Sequence, residues 1–460
     1  MGETTKTGAA PGVGVGETIK QRDYMFDTFR GLLMWSIPIS HFTRVAGHFS
    51  QASLGGVVYI TINVFVMQAF VFLSGYFSKK PDRSKDTSFH TFMWPYLLGI
   101  PFFYFVRQYF FGNAILHWDL PPFALWYLWA LFFYRYFTKE WMKIPYILEL
   151  SIVVYLLAGQ VPFFSDRFGL GRVVSYFPFF VMAFYCTSDQ IKKLQCLKKW
   201  QCWALGTVLL GISCLLAFCV PQLPVGFYLL KNPACELGIT WYWDIIGRAL
   251  ILFLAWGWII FMLNILPNKK NYLAYVGMNT MPIYIFHLIV RYAIKFNGIG
   301  LGFIPVNNRV VYYGLIFGLA SLCAIVFSTK PVVKIYDFVV EGTWKLFCWL
   351  LARGVDLLGL IHTPVMAIKD WTLRTIGGRY GRSVRRPPPL FCRGARHRIL
   401  QIDASYIQLA RESVAGVPKE QARVACFCVS FHGGLMKGMA DGSLRAVAKI
   451  IVGGLRVGMP

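Results

Sequence analysis

The sequence predicts an all-α fold: a polytopic transmembrane helix bundle of about ten spans with both termini cytoplasmic. Three observations predict it. Of 460 residues, 56% are hydrophobic and 17% aromatic, too apolar for a single soluble core of this size. The apolar residues come in runs near 20 with almost no charge, the length that crosses a hydrocarbon core, whereas a soluble α/β enzyme breaks them into strands of about 5 and helices of about 12. Finally, Lys and Arg gather in clusters that fall on alternate loops, the positive-inside pattern of a multi-pass protein.

Taken in order, residues 1–22 are rich in Gly, Thr and Lys and lack an apolar stretch, so they read as a flexible leader rather than a signal peptide. The glycine run Gly12–Gly16 lacks the preceding strand and the spacing of a dinucleotide site. Insertion then starts from the first span itself. Spans are drawn over 26–46, 55–77, 92–112, 122–138, 145–160, 172–188, 201–220, 242–264, 273–293 and 309–328, within a transmembrane domain covering 23–330. The fifth and sixth are short. Clusters at Lys20 and Arg22, Lys79 to Lys85, Arg135 to Lys143, Lys192 to Lys199, Lys269 and Lys270, and Lys330 and Lys334 all fall on one side of this arrangement. The loops 112–121 and 221–240 on the other side hold few basic residues, which puts both termini inside.

Over 331–369, Lys334, Asp337, Glu341, Lys345, Arg353 and Asp356 return at near-helical spacing among Trp344, Phe347 and Trp349. That pattern fits an amphipathic juxtamembrane helix on the cytoplasmic leaflet, with a further short span as the alternative. Residues 370–460 form a basic tail with little periodicity, read as disordered, carrying after Asp370 15 Lys or Arg against 4 acids. The net charge of +25 is therefore largely a matter of loops and tail, and no nucleic-acid partner is expected; the lipid bilayer is. The eleven cysteines are scattered and show no disulfide framework. Cys426, Cys428 and His432 are too loosely spaced for a metal site, and no metal is expected.

An ionisable side chain facing hydrocarbon costs on the order of 2.5–3.5 kcal/mol, so those inside spans should face a cavity or a partner. They are Asp27, Arg30 and His41 in the first span, Arg107 in the third, Glu149 in the fifth, Arg172, Asp244 and Arg248 at span ends, and His287 and Arg291 in the ninth. Arg30 and His41 lie eleven residues apart, about 20° past three full turns, so they share a helical face roughly 16 Å apart. Pro38 between them removes one backbone hydrogen bond. Read alone, Arg30 can instead snorkel to the interface and His41 can be a satisfied core histidine. Asp244 and Arg248, four apart, suit a structural ion pair.

The pattern Arg30-x10-His41 in a first span, followed by Phe70-Val71-Phe72-Leu73-Ser74-Gly75-Tyr76 at the end of the second, resembles the acyltransferase 3 family of integral membrane acyltransferases. Leu125-Trp126-Tyr127-Leu128 with Ala130-Leu131-Phe132-Phe133 looks most like its fucose 4-O-acetylase-type branch. Arg172 ahead of Phe177-Pro178-Phe179-Phe180, and Asn279-Thr280 ahead of Ile283-Tyr284-Ile285-Phe286-His287, add to the likeness. It covers about residues 22–330 and carries the same ten-helix topology. One departure stands before the third span, where the family carries basic residues and this chain has Phe89-His90-Thr91-Phe92-Met93, with His90 the one substitute.

The resemblance implies transfer of an acyl group, most simply acetyl, from acyl-CoA to a hydroxyl of a carbohydrate or other acceptor, with acetyl-CoA as donor substrate and no bound cofactor. Such transfer needs a base for the alcohol proton and positive charge near the thioester or its phosphates. His41 is the expected general base, and Arg30 the expected cation for acyl-CoA phosphate or the oxyanion. Tyr284 and His287 are expected to line the same cavity, with Trp126 and Arg172 contacting acceptor or donor. Asn63 serves as an interhelical hydrogen bond or an acceptor ligand. Ser74 is either a nucleophile or, beside Gly75, part of a tight packing signal. The competing readings are a multi-pass transporter or exporter of a small polar or glycan substrate, and a non-catalytic receptor or scaffold.

Overall fold

The computed structural model describes residues 22–351 and 353, apart from 118, 119, 123, 165, 166, 307 and 352. The glycine run, the tail 370–460 with its Cys426, Cys428 and His432, and the part of the 331–369 segment beyond 353 lie outside the described residues.

The described residues are helical, with no strand among them. In order they form α1 (Tyr24–Val45), α2 (Leu54–Asn63), α3 (Val66–Tyr76), α4 (Pro81–Ser88), a π-helical turn Phe89–Met93, α5 (Trp94–Phe111), α6 (Trp126–Tyr136), α7 (Thr138–Trp141) and α8 (Ile147–Leu157). After these come α9 (Leu170–Tyr185), α10 (Ser188–Leu194), α11 (Lys199–Phe218), α12 (Ala234–Leu237), α13 (Trp241–Ile265), α14 (Tyr272–Met278), α15 (Thr280–Asn297) and α16 (Arg309–Phe327). A last helix, α17, runs over 330–351. Several starts carry side-chain caps that satisfy the orphan N–H groups of the first turn. Asp23 accepts from Met25, Ser53 from Gly56, Asn271 from Ala274 and Asn308 from Val311.

Among the described residues, five helices are long and apolar enough to cross a membrane: Leu54–Tyr76, which is α2 and α3 taken through a break, Arg167–Tyr185, and α11, α13 and α16. A bent pair, α14 with α15, makes six if it counts as one span. The expected segments 26–46 and 92–112 are also helical, but α1 carries Asp27, Arg30 and Arg44, and α5 is largely aromatic with Arg107 near its end. Within 122–138 and 145–160, α6 and α8 have 11 residues each, about 16 Å against a core of about 30 Å. The expected span 273–293 is not one straight helix: it bends by 88° between α14 and α15. Asn279 at the break has φ −119° and ψ 41° and donates its Nδ2 to the Tyr275 carbonyl. Pro282 follows in the first turn of α15, where a missing N–H costs least.

α1 is largely enclosed although it carries charged residues. Most of α1 is buried, whereas only 22% of the apolar window of α11 and 28% of that of α16 are covered, as expected of helices facing lipid. α1 packs against α2, α3, α14, α15 and α16. Its backbone meets α14 directly: a Cβ on Gly31 would lie 1.9 Å from the Leu273 carbonyl oxygen, and one on Gly277 1.8 Å from that of Asp27. Only paired glycines permit this crossing. Further along, Trp35 donates to Ser321 of α16 at 3.0 Å, and Ile39, Phe42 and Ala46 share a cluster with Ile294 and Ile299. α15 therefore runs alongside α1 in the same direction.

The expected Asp244–Arg248 pair is present and nearly sealed, Arg248 Nε lying 3.0 Å from Asp244 Oδ2. Gln160 donates to Asp244, Arg248 donates to Ser175, and Tyr155 donates to the Arg248 carbonyl. α8, α9 and α13 are thus joined by one satisfied polar network, the condition under which a buried ion pair is tolerated. α17 packs on the start of α5: Trp94 donates to Thr343 at 3.2 Å, and the Trp94, Trp344 and Phe347 rings cluster. His90 lies 3.1 Å from Glu341 of the same helix.

Candidate active site

At the His41 end of α1 a cavity of about 540 Å³ opens between α1, α2, α5, α9 and α15. His41 and Ser40 come from α1, Asn63 from the end of α2, Trp126 from α6, Arg172 and Tyr176 from α9, and Tyr284 and Arg291 from α15. Loop residues complete it: Leu116 and His117 from one segment, Leu229 and Lys231 from another.

The parallel course of α1 and α15 brings two histidines together. His41 Nδ1 lies 3.0 Å from His287 Nε2, with rings stacked at a centroid distance of 5.2 Å. His287 is fully buried, and its Nδ1 lies 2.9 Å from the Ile283 carbonyl oxygen. A carbonyl oxygen only accepts, so His287 Nδ1 carries the hydrogen. In the neutral ring Nε2 is then an acceptor, and His41 Nδ1 must donate to it. With both rings neutral this network assigns the lone pair of His41 to Nε2. His41, not His287, lines the cavity.

The other expected site residues divide into two groups. Asn63, Trp126, Arg172 and Tyr284 line the cavity with His41. Asn63 donates to Ser40 Oγ at 2.9 Å and to the Tyr59 carbonyl at 2.7 Å, so it joins α1 to α2 and presents its side-chain oxygen as the atom outside these bonds. Trp126 carries the Arg172 guanidinium 4.5 Å from its ring centroid and stacks on Tyr176 at 5.1 Å. Little bare ring face is left for a sugar, and Trp126 acts instead as a cation–π seat for Arg172. The Tyr284 hydroxyl donates to the Ala124 carbonyl, and its ring packs against Tyr127, which in turn meets Phe70.

Arg30 and Ser74 are not in the cavity. Arg30 Nη1 is 3.2 Å from Asp27 Oδ1, one turn earlier on the same helix, and its guanidinium sits 4.6 Å above the Phe77 ring. Asp27 also holds Arg22 at 2.8 Å. Ser74 lies in the last turn of α3, its Oγ buried without a hydrogen bond among the described residues. Neighbouring Gly75 is a close-packing position, where a Cβ would lie 2.2 Å from the Phe180 carbonyl oxygen.

A family model described as an acyltransferase domain matches residues 23–329, the whole of the bundle through α16. The chain belongs to the acyltransferase 3 family. No curated protein and no solved structure matches it. It is thus a membrane acyltransferase by family, and the cavity lining includes cations that sequence reasoning did not place at the site, among them Arg44, Arg107, Lys231 and Lys295. The signal for two of them was present. His287, Arg291 and Lys295 stand at i, i+4 and i+8, and Arg44 follows His41 by three, so each histidine begins a row of cations on one helix face. Arg107, inside an expected span, is expected to face a cavity or a partner without the sequence saying which, and Lys231 depends on how a loop folds back, which no local pattern reveals. Lys231 is held by a close approach at the start of α9, where a Cβ on Gly171 would lie 2.8 Å from the Lys231 carbonyl oxygen.

Proposed function

We infer that the protein is an integral membrane O-acyltransferase, most simply an O-acetyltransferase of the fucose 4-O-acetylase type, moving an acyl group from acyl-CoA to a hydroxyl of a carbohydrate. The observation that carries this reading is the oriented histidine pair at the cavity wall. His41 Nε2 takes the proton of the acceptor hydroxyl, and the oxygen attacks the thioester carbonyl. The C–S bond then breaks and the departing thiolate recovers the proton from the His41 imidazolium. His287 fixes the His41 tautomer and steadies the charge that forms, and His41 Nδ1–H stays bonded to it throughout.

In this reading the chain crosses the membrane ten times with both termini cytoplasmic, α1 entering from the cytoplasm at Arg30. Coenzyme A approaches from that side, where Arg30 meets its phosphates, and the flexible pantetheine arm covers the roughly 16 Å of helix between Arg30 and His41. The cavity then opens on the opposite side and takes the acceptor. Trp126, Arg172, Asn63 and Tyr284 shape the acceptor pocket, and Ser74 serves packing rather than covalent catalysis.

The test uses the purified full chain in lipid nanodiscs with labelled acetyl-CoA and a panel of glycans. Label should pass to glycan with release of one coenzyme A per transfer and no transmembrane flux of acceptor. A His41→Ala variant with full turnover would sink the role given to His41, and flux without coenzyme A release would favour an exporter.

A further inference from the structure

The cavity is strongly one-sided in charge. Six cations line it, namely Arg44, Arg107, Arg172, Lys231, Arg291 and Lys295, and no Asp or Glu does among the described residues. The sequence leaves little to offset them. The segments 46–53 and 298–308 at that end contain no acid, and 112–121, 161–169 and 221–240 contain one each, Asp119, Asp166 and Glu236. Glu236 accepts from Asn232 at 2.7 Å, and Asp244 is already sealed against Arg248. A positive excess remains however those loop acids lie. Such an excess in a concave, partly desolvated site concentrates anions and orders them.

The cations are also placed relative to the reacting atom. Arg44 stands three residues beyond His41 on α1, and Arg291 four beyond His287 on the parallel α15, so both rise about one turn, roughly 5 Å, above the histidine pair. Lys295 continues the row one turn further, its ammonium 5.2 Å from the Phe111 ring centroid.

We propose that the acceptor is an anionic sugar, carrying a carboxylate, phosphate or sulfate within one sugar unit of the hydroxyl that is acylated. The proposal rests on the acyl-transfer reading above and names its acceptor. The hydroxyl meets His41 Nε2 while the anionic group is held by Arg44 and Arg291, with Lys295, Arg107, Arg172 and Lys231 attracting the remainder of a charged glycan. The phosphates of coenzyme A share this chemistry and are the rival occupant of the same cations.

Ligand-induced shifts in melting temperature of the purified full chain separate the two without relying on turnover. The probes are glucuronate, sialic acid, glucose 6-phosphate, glucose and coenzyme A. At least one anionic sugar should stabilise the protein where glucose does not. Arg44→Gln and Lys295→Gln, both at exposed positions, should each weaken that sugar's affinity about tenfold and leave the coenzyme A shift in place. Equal shifts from glucose and the anionic sugars, no shift from any anionic sugar, or loss of the coenzyme A shift in these variants would each overturn the proposal. Acyl transfer to neutral and anionic acceptors alike, abolished by His41→Ala, would overturn it while leaving the acyltransferase reading intact. Anionic-sugar binding without any acyl transfer would overturn the acyltransferase reading and the acceptor role with it, leaving only an anion-binding cavity.

Discussion

The two ends of α1 are built in opposite ways. At the Arg30 end each cation has a carboxylate partner and the backbone is pinned: Asp27 holds Arg22 and Arg30, and Gly31 and Gly277 let α1 and α14 touch. At the His41 end the space is open, with a cavity of about 540 Å³ whose charged lining among the described residues is all cationic. One helix thus combines a fixed end and a working end. The lesson is physical: an imidazole can be aimed only if its helix cannot shift, and the close crossing of α1 and α14 at Gly31 lies ten residues from it. The following substitutions should separate the two ends, stability falling at one and chemistry at the other.

The largest effect is expected at the working end. His41→Gln removes the proposed base while keeping a polar side chain of similar reach, and should lower turnover by about 10²–10⁴-fold. His41 is only half-buried and borders a cavity, so the melting temperature should stay near that of the unmodified protein. A fall in both quantities would mean that the two ends are not separable, because the histidine would be holding the bundle as well.

The converse holds at Gly31. A methyl group there meets the Leu273 carbonyl at 1.9 Å, and the helices must part. Overpacking of this kind costs about 1–3 kcal/mol or more, read as a lower melting temperature in detergent. Gly314→Ala on α16 is the control, since a Cβ there meets nothing within 4 Å and Ala is the better helix former by about 1 kcal/mol. If Gly31→Ala were as harmless as Gly314→Ala, the pinned end would be a misreading.

How much of this contrast was written in the sequence depends on the range of the interactions involved. The helical segments were legible because an apolar run declares itself locally, and so was the Asp244–Arg248 pair, which needs only four residues of one helix. The shared face of Arg30 and His41 was legible too, but their separation into two environments was not. Asp27 stands one turn before Arg30 and captures it, a pairing open to the same spacing argument. The bend at Asn279 was hidden inside an apolar stretch that reads as one span, because hydropathy carries no direction. The meeting of His41 with His287 required the relative direction of two helices 246 residues apart in sequence, and the cation-lined cavity required loops to fold over their mouths.

A smaller effect should divide the substrates between the ends. Arg30→Gln removes a half-exposed guanidinium from Asp27 and from the Phe77 ring. In the proposed mechanism it raises KM for acyl-CoA about tenfold and leaves KM for the acceptor unchanged, the opposite of what Arg44→Gln does. Asp27→Asn should cost about 1 kcal/mol of stability, near the lower bound for a charged hydrogen bond because Arg22 is 56% exposed. If Arg30→Gln and Arg44→Gln raised the same KM, both ends would serve one substrate and the division of labour would fail.

The smallest effect tests what does the pinning. Lys139 on α7 lies 2.8 Å from Asp82 on α4, and that partner holds the Asp82 carboxyl below its ordinary range, chiefly through the hydrogen bond. A carboxylate with a depressed folded value stabilises above its unfolded value and loses that contribution as pH falls through the folded one, so the pair matters near neutrality and fades in acid below about pH 4. Both side chains are nonetheless exposed, 51% for Lys139 and 77% for Asp82, and water screens such pairs almost completely. Asp82→Asn should therefore leave the melting temperature unchanged at pH 7, in contrast to Gly31→Ala. Were the two changes equally damaging, the bundle would be held at this end by surface charge rather than by backbone contact, and the rigid frame assigned to His41 would have to be sought elsewhere.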